Sequence, residues 1–238
     1  MNKSRLQLDW PRPREFPTLG AKAVHVWAVP LDVGNLPEDA LAETELERAN
    51  KFALDRPRRS FVATRIALRS LLGSYLGLPP RAVPIAFGSN GKPHLAAGDL
   101  HFNLAHSGDL ALIAITRCGP LGVDIEELRT MNNAIELANR NFHPNERAAI
   151  GAADETDRSS QFLRCWTRKE AVVKALAVGI GYPLDTFDVL AADVVELRTS
   201  SGGVTTCFLH DLAANSAYVA ALATTECDLT LMGFTYST

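Results

Sequence analysis

Two short stretches carry acidic side chains that could act together on a divalent cation. Leu121-Gly122-Val123-Asp124-Ile125-Glu126 alternates apolar and acidic residues, the pattern of a half-buried strand. Asp124 and Glu126 then share one face, and Val123 and Ile125 the other. The stretch from Cys165 to Ala175 has helical spacing, with Glu170 and Lys174 one turn apart on one face. Three carboxylates brought together repel and raise one another's pKa values. A hard divalent cation relieves that repulsion and takes their oxygens as ligands. The expected site is therefore Asp124, Glu126 and Glu170 around Mg²⁺, with Lys174 beside it. Spacing alone gives the strand pair and the helix pair; their meeting is inferred. An ordinary ion pair on a helix surface, worth ~0.2–0.5 kcal/mol, accounts equally for Glu170 and Lys174.

Other stretches add groups that suit phosphate. Arg56, Arg58, Arg59, Arg65 and Arg69 concentrate positive charge, and Arg65 and Arg69 are spaced to share a helix face. Forked guanidinium donors match phosphate oxygens, although a solvated helix surface would look the same. Phe87 to Pro93 reads as a turn from which Lys92 projects. Phe102 to Gly108 ends a strand and opens a polar loop. There His106 and Ser107 can donate to an anion while Gly108 lets the backbone turn.

These groups need elements to position them. The chain has 238 residues, 47% of them apolar, which allows one large domain or two small ones with a true core. The formal net charge of −3 gives no overall signature of a nucleic-acid-binding surface. Cys118, Cys165, Cys207 and Cys227 lack metal-ligand spacing and read as reduced thiols in a cytoplasmic protein. No run approaches the ~20 apolar residues of a membrane helix. The proline-rich first 20 residues read as an irregular arm. Strands are expected over 24–29, 110–116, 121–126, 187–190, 194–197, 204–210 and 218–223, with a hairpin turn at Gly202-Gly203. Helices are expected over about 41–52, 60–76 and 134–142, with a short one near Glu146. A long helix capped by Ser159 or Ser160 runs to about Val178. Pro57 is expected to interrupt the helical pattern before 60, and 151–159 to form a solvent loop.

The fold class is α+β. Each half has strands and a long helix, which implies two pseudo-symmetric α/β lobes with small, mainly antiparallel sheets. The expected division is 1–119, with the basic helix and His106, and 120–238, with the carboxylates. A ligand between the lobes would use both sets.

The paired signatures, Leu121 to Glu126 and Trp166 to Ala175, resemble those of the 4′-phosphopantetheinyl transferase superfamily. Phe102 to Ser107 and Gly91-Lys92-Pro93 look like its longer, monomeric, surfactin-synthetase-activating branch. The resemblance runs from about Glu47 to Ala175. It implies transfer of phosphopantetheine from coenzyme A to a serine of an apo acyl or peptidyl carrier protein. It further implies Mg²⁺ held by Asp124, Glu126 and Glu170, with Asp124 near the pyrophosphate. Lys92, with its neighbour Pro93, and His106, Ser107 and Lys174 would contact coenzyme A. Arg56, Arg65 and Arg69 are further nucleotide-binding candidates. Glu170 is the first choice of base. Glu146 falls near an extra acidic position used in some relatives. Metal-dependent hydrolysis of a pyrophosphate, or a non-enzymatic coenzyme A-binding module, would use the same residue types.

Overall fold

The computed structural model describes residues 10–32, 37–88, 91–179, 181–198, 203–213 and 215–237. Ser89 and Asn90 of the first expected turn, and Gly202 of the second, lie outside them. The chain begins with β1 (Ala23–Pro30), α1 (Glu43–Ala49) and the long α2 (Asp55–Leu76). A small hairpin follows, β2 (Ile85–Phe87) and β3 (Pro93–Leu95), and then β4 (His101–Ser107) and β5 (Leu110–Thr116). The second half opens with β6 (Leu121–Glu127) and three helices, α3 (Ala134–Asn141), α4 (Pro144–Ala152) and the long α5 (Glu155–Leu176). It closes with β7 (Val194–Arg198), β8 (Val204–Leu212), β9 (Tyr218–Thr224) and β10 (Thr230–Thr235).

Two four-stranded sheets result, ordered β10-β1-β5-β4 and β6-β9-β8-β7. All pairings in these sheets are antiparallel except β1 with β10, where Ala23 to Ala28 run beside Thr230 to Thr235. The last strand thus returns to the first sheet. Alternation sorts the side chains. Trp27, Val29, Ile113 and Ile115 pack on α2 with Ala67, Leu68 and Leu71. On the opposite faces, Val24, Val26, Leu112 and Ala114 meet Val123, Ile125, Ala220 and Leu222. Helix α5 covers the outer face of the second sheet through Ala171, Val172 and Ala175. The layers are helix, sheet, sheet, helix, and the sequence expectation of two pseudo-symmetric lobes holds.

The two halves repeat a buried device. Helices α2 and α5 are each 22 residues long. Arg69 and Lys169 stand at the same place in them, counted from Asp55 and Glu155. Arg69 pairs with Glu45 of α1, and Lys169 with Glu146 of α4 at 2.9 Å. Each glutamate also accepts the backbone N–H that opens its short helix, Ala42 at 3.1 Å and His143 at 2.9 Å. Each cation reaches on to carbonyls beyond its long helix, Arg69 to Pro80 and Val83, Lys169 to Leu184 and Phe187.

Several boundaries differ from expectation. Helix α2 starts at Asp55, because Pro57 sits in the first turn, where its missing N–H has no intrahelical partner to lose. Helix α5 starts at Glu155 rather than near Ser159, whose Oγ instead accepts from Met131 N at 2.9 Å. Residues 187–190 do not form a strand. Phe187 O is taken by Lys169, Val189 N donates to Glu146 Oε1 at 2.8 Å, and Leu190 N to Asp188 Oδ1. The buried ion pair has claimed the backbone groups that a ladder would need.

Candidate functional site

A glycine brings strand and helix together. A Cβ on Gly122 would lie 2.1 Å from Ala171 O and 2.4 Å from Ala175 N. Only the bare backbone lets β6 approach α5 so closely. Asp124, on the same face of β6, then reaches the turn above, and its Oδ1 accepts from Lys174 Nζ at 2.6 Å. Lys174 Nζ also donates to Val123 O at 3.4 Å. The meeting of the two signatures, inferred from the sequence, is present for this pair.

Asp124, Glu126, Glu170 and Trp166 line one cleft of about 680 Å³, with Arg140, Asn141, Tyr182 and Leu184. Asp124 is 7% exposed, and its Oδ2 is buried without a hydrogen-bond partner. Burial pushes its pKa up to about 6; the Lys174 ammonium opposes the rise, and Glu170 and Glu126 add to it. Glu126 Oε2 accepts from Ser107 Oγ at 3.0 Å and from Arg129 Nη1 at 2.8 Å. Glu170 lines the cleft, half-buried.

Among the described residues, no three histidine, cysteine or acidic side chains are gathered closely enough to hold a metal ion by themselves. A Mg²⁺ ion nonetheless suits this donor set. It is commonly held by one or two carboxylates, with water and substrate phosphate completing its shell. The unpartnered Asp124 Oδ2 is an oxygen that such an ion would use.

The first half supplies cations and donors around the carboxylates. Lys92, just before β3, donates to Lys174 O and to Leu121 O, the latter at 3.3 Å. Burial and then the neighbouring Lys174 push its pKa down to about 8. His106 and Ser107 end β4, and Gly108 turns the chain with φ of +56°. Burial and Lys174 lower the His106 pKa, with Glu126 opposing. Pro93 and Lys92 line a neighbouring pocket of about 370 Å³ together with His101, Leu121 and Ala175.

The arginines divide. Arg56 is exposed, pairs with Asp109 at 2.9 Å and borders a groove of about 300 Å³ with Arg59 and Ser60. Arg65 and Arg69 turn inward to Glu45, with side chains 9% and 4% exposed. Arg65 is held over the rings of Phe61 and Phe87, and burial lowers its pKa. The structure does not bring this pair to the carboxylate cleft. Glu146 is also withdrawn: it is fully buried against Lys169 rather than facing the cleft.

Two features went unread in the sequence. Gly122 sat in plain view inside the acidic strand, and a glycine within a strand pattern signals close backbone approach. Asn103 gave no such signal. Its Oδ1 accepts from Val123 N at 2.8 Å across the two halves, which only the tertiary structure discloses.

Comparison with known proteins adds a second line. The profile of the 4′-phosphopantetheinyl transferase superfamily matches residues 120–227, and that of a 4′-phosphopantetheinyl transferase N-terminal region matches 36–118. The chain is 41% identical over 184 residues to the 4′-phosphopantetheinyl transferase HetI of Nostoc sp., covering 74% of this chain and 77% of that protein. It is 27% identical over 191 residues to a 4′-phosphopantetheinyl transferase of Bacillus subtilis, covering 79% and 84%. It is 36% identical over 145 residues to AcpT of Salmonella typhimurium, covering 60% and 68%.

Proposed function

The chain belongs to the 4′-phosphopantetheinyl transferase superfamily, and from that premise we propose how its own side chains carry the transfer. The reaction moves phosphopantetheine from coenzyme A to a serine of an apo carrier protein. The serine oxygen forms a bond to the β-phosphorus, the bond from that phosphorus to the bridging oxygen breaks, and 3′,5′-adenosine bisphosphate leaves. The observation that carries the assignment of roles is that Asp124, paired with Lys174, lines one cleft with Glu126 and Glu170.

Glu170 takes the serine proton, directly or through water, a role worth ~10²–10⁴-fold in rate. Lys174 is fixed between Asp124 Oδ1 and Val123 O, so its charge is oriented before coenzyme A arrives. Lys92 spends two of its ammonium hydrogens on Leu121 and Lys174 carbonyls and offers the remainder to a phosphate oxygen. His106, Ser107 and exposed Arg56 complete the coenzyme A contacts. Arg65 and Arg69 hold the first lobe together instead. Of Asp124, Glu126 and Glu170, Asp124 with its unpartnered Oδ2 would hold Mg²⁺ first, water and substrate phosphate completing the shell, and the bound ion would supply charge neutralisation at the diphosphate.

The carrier meets the rim of the cleft. Leu128 and Ile135, which follow β6 in the chain, are 37% and 40% exposed, and the neighbouring Arg129 and Arg140 pair with Glu126 and Glu136. These exposed apolar side chains would pack on the carrier, and an acidic carrier would compete with Glu126 and Glu136 for the two arginines. Among the described residues no helix is long and apolar enough to cross a membrane. The free thiols suit the cytoplasm, and we read the protein as a monomer in which coenzyme A lies between the lobe of 1–119, completed by β10, and the rest of 120–238.

The test is incubation of the protein with coenzyme A, Mg²⁺ and an apo-carrier, followed by intact-mass measurement of the carrier. Addition of phosphopantetheine is expected, and should vanish when the carrier serine becomes alanine. Release of nucleotide with no mass gain on the carrier would instead identify a hydrolase.

A further inference from the structure

Strand β6 lies at the edge of the second sheet and β4 at the edge of the first. The two edges run against one another, yet no backbone ladder joins them. An edge strand at such a junction has N–H and C=O groups to satisfy. Here side chains do it. Leu121 O accepts from Lys92, Val123 N donates to Asn103 Oδ1, Val123 O accepts from Lys174, and Glu127 N donates to Ser107 Oγ at 3.1 Å. All four groups lie on odd-numbered residues and so on one edge. Lys92, Asn103 and Ser107 come from the first half.

Asn103 differs from the other members. It is 4% exposed and lies outside the lining of the carboxylate cleft. Its bond to Val123 falls next to Asp124. We propose that Asn103 is a positioning residue, which docks the edge of β6 on β4 and so sets Asp124 and Glu126 opposite His106 and Ser107. It acts through the strand, touching neither coenzyme A nor the carrier serine. The inference rests on the transferase reading above, and it names the residue that registers the two halves of that site.

The test compares Asn103→Leu, of similar volume but without an acceptor, with Asn103→Asp, which can accept the same bond. Hydrogen exchange at the Val123 amide and single-turnover transfer are measured on the full chain. In the leucine variant, Val123 exchange should rise about 10-fold or more, as expected for a buried N–H left unpaired. The single-turnover rate should fall about 10–100-fold, the scale of a small misplacement of reacting groups, while coenzyme A affinity changes less than about 3-fold. The aspartate variant should restore protection at Val123 and most of the rate. Should the leucine variant not fold, Asn103→Ala provides the same contrast. Unchanged Val123 exchange, or a leucine variant transferring at the wild-type rate, overturns the proposal. So does an aspartate variant that regains protection without regaining rate. A wild-type chain that transfers nothing would defeat the transferase reading instead, and the exchange measurement would still decide the hydrogen bond.

Discussion

Gly122→Ala is the sharpest test of how the site is built. The added methyl would sit 2.1 Å from Ala171 O, 2.4 Å from Ala175 N and 2.8 Å from Lys174 Cβ. Two of these atoms are helix backbone and cannot rotate away, so β6 and α5 must separate by about 1 Å to reach ordinary contact. Overpacking of this kind costs about 1–3 kcal/mol. In a chain of this size each kcal/mol lowers Tm by about 2–4 °C, so a fall of about 2–12 °C is expected. The same separation pulls Asp124 from Lys174, whose contact is 2.6 Å. A misplacement near 1 Å can cost about 10²-fold in rate. Thermal denaturation gives the first quantity, and intact-mass assay of carrier modification gives kcat and KM. A variant that melts within 1 °C of wild type and keeps its kcat would refute the claim that close approach at Gly122 sets the Asp124–Lys174 geometry.

Three further predictions follow from other parts of the structure. Glu146→Ala leaves Lys169, with no side-chain exposure, without its partner and should destabilise by about 3–5 kcal/mol in urea unfolding; a metal ligand would change Mg²⁺ dependence with little loss of stability. His25 Nδ1 and Tyr75 Oη share a hydrogen bond of 2.7 Å, and burial pushes the His25 pKa down to about 4, so the unfolded chain binds the proton more readily. Stability from this group is full above pH 6.5 and falls as pH drops toward 4, by about 3 kcal/mol, and an unfolding profile of equal slope in His25→Asn would contradict it. Leu128→Asp and Ile135→Asp should raise KM for the carrier about tenfold and leave coenzyme A affinity unchanged, because the charge would spoil the apolar rim that meets an acidic partner; an altered coenzyme A affinity in place of a carrier effect would move the docking surface elsewhere.

What could be read from the sequence depended on whether a residue's role was local. Alternation in 121–126 and the turn spacing of Glu170 and Lys174 gave both elements, since each periodicity is imposed by its own backbone. Arg65 and Arg69 were harder. A helix face rich in arginine reads alike whether it meets solvent, phosphate or a buried glutamate, and Glu45 lies in another helix. Strand β10 was missed for a similar reason: its partner is β1, at the opposite end of the chain. The stretch 187–190 looked like a strand because its apolar residues alternate. Its backbone is instead spent on Lys169 and Glu146, a demand that no local pattern announces.

The repeat between the halves shows where the proposed carboxylates part company with their counterparts. Arg69 and Lys169 keep the same buried task, tying a short helix and the following turn to the long helix. One position further along each long helix the likeness ends. Counted from Asp55 and Glu155, Ser70 and Ser74 stand where α5 carries Glu170 and Lys174, and Ser74 Oγ merely donates to Ser70 O at 2.9 Å. Aromatic side chains stand beside those serines: Phe16 stacks on Trp27 at 5.6 Å and meets Tyr75 at 4.6 Å. The groove there, lined by Phe16, Trp27, Ser70 and Ser74, thus carries neither the carboxylate nor the ammonium of the second half. The first half instead sends Lys92, Asn103 and Ser107 across to the open edge of β6. On the proposed assignment neither half holds the whole site, so the core between the two sheets is as much a condition of the chemistry as the carboxylates.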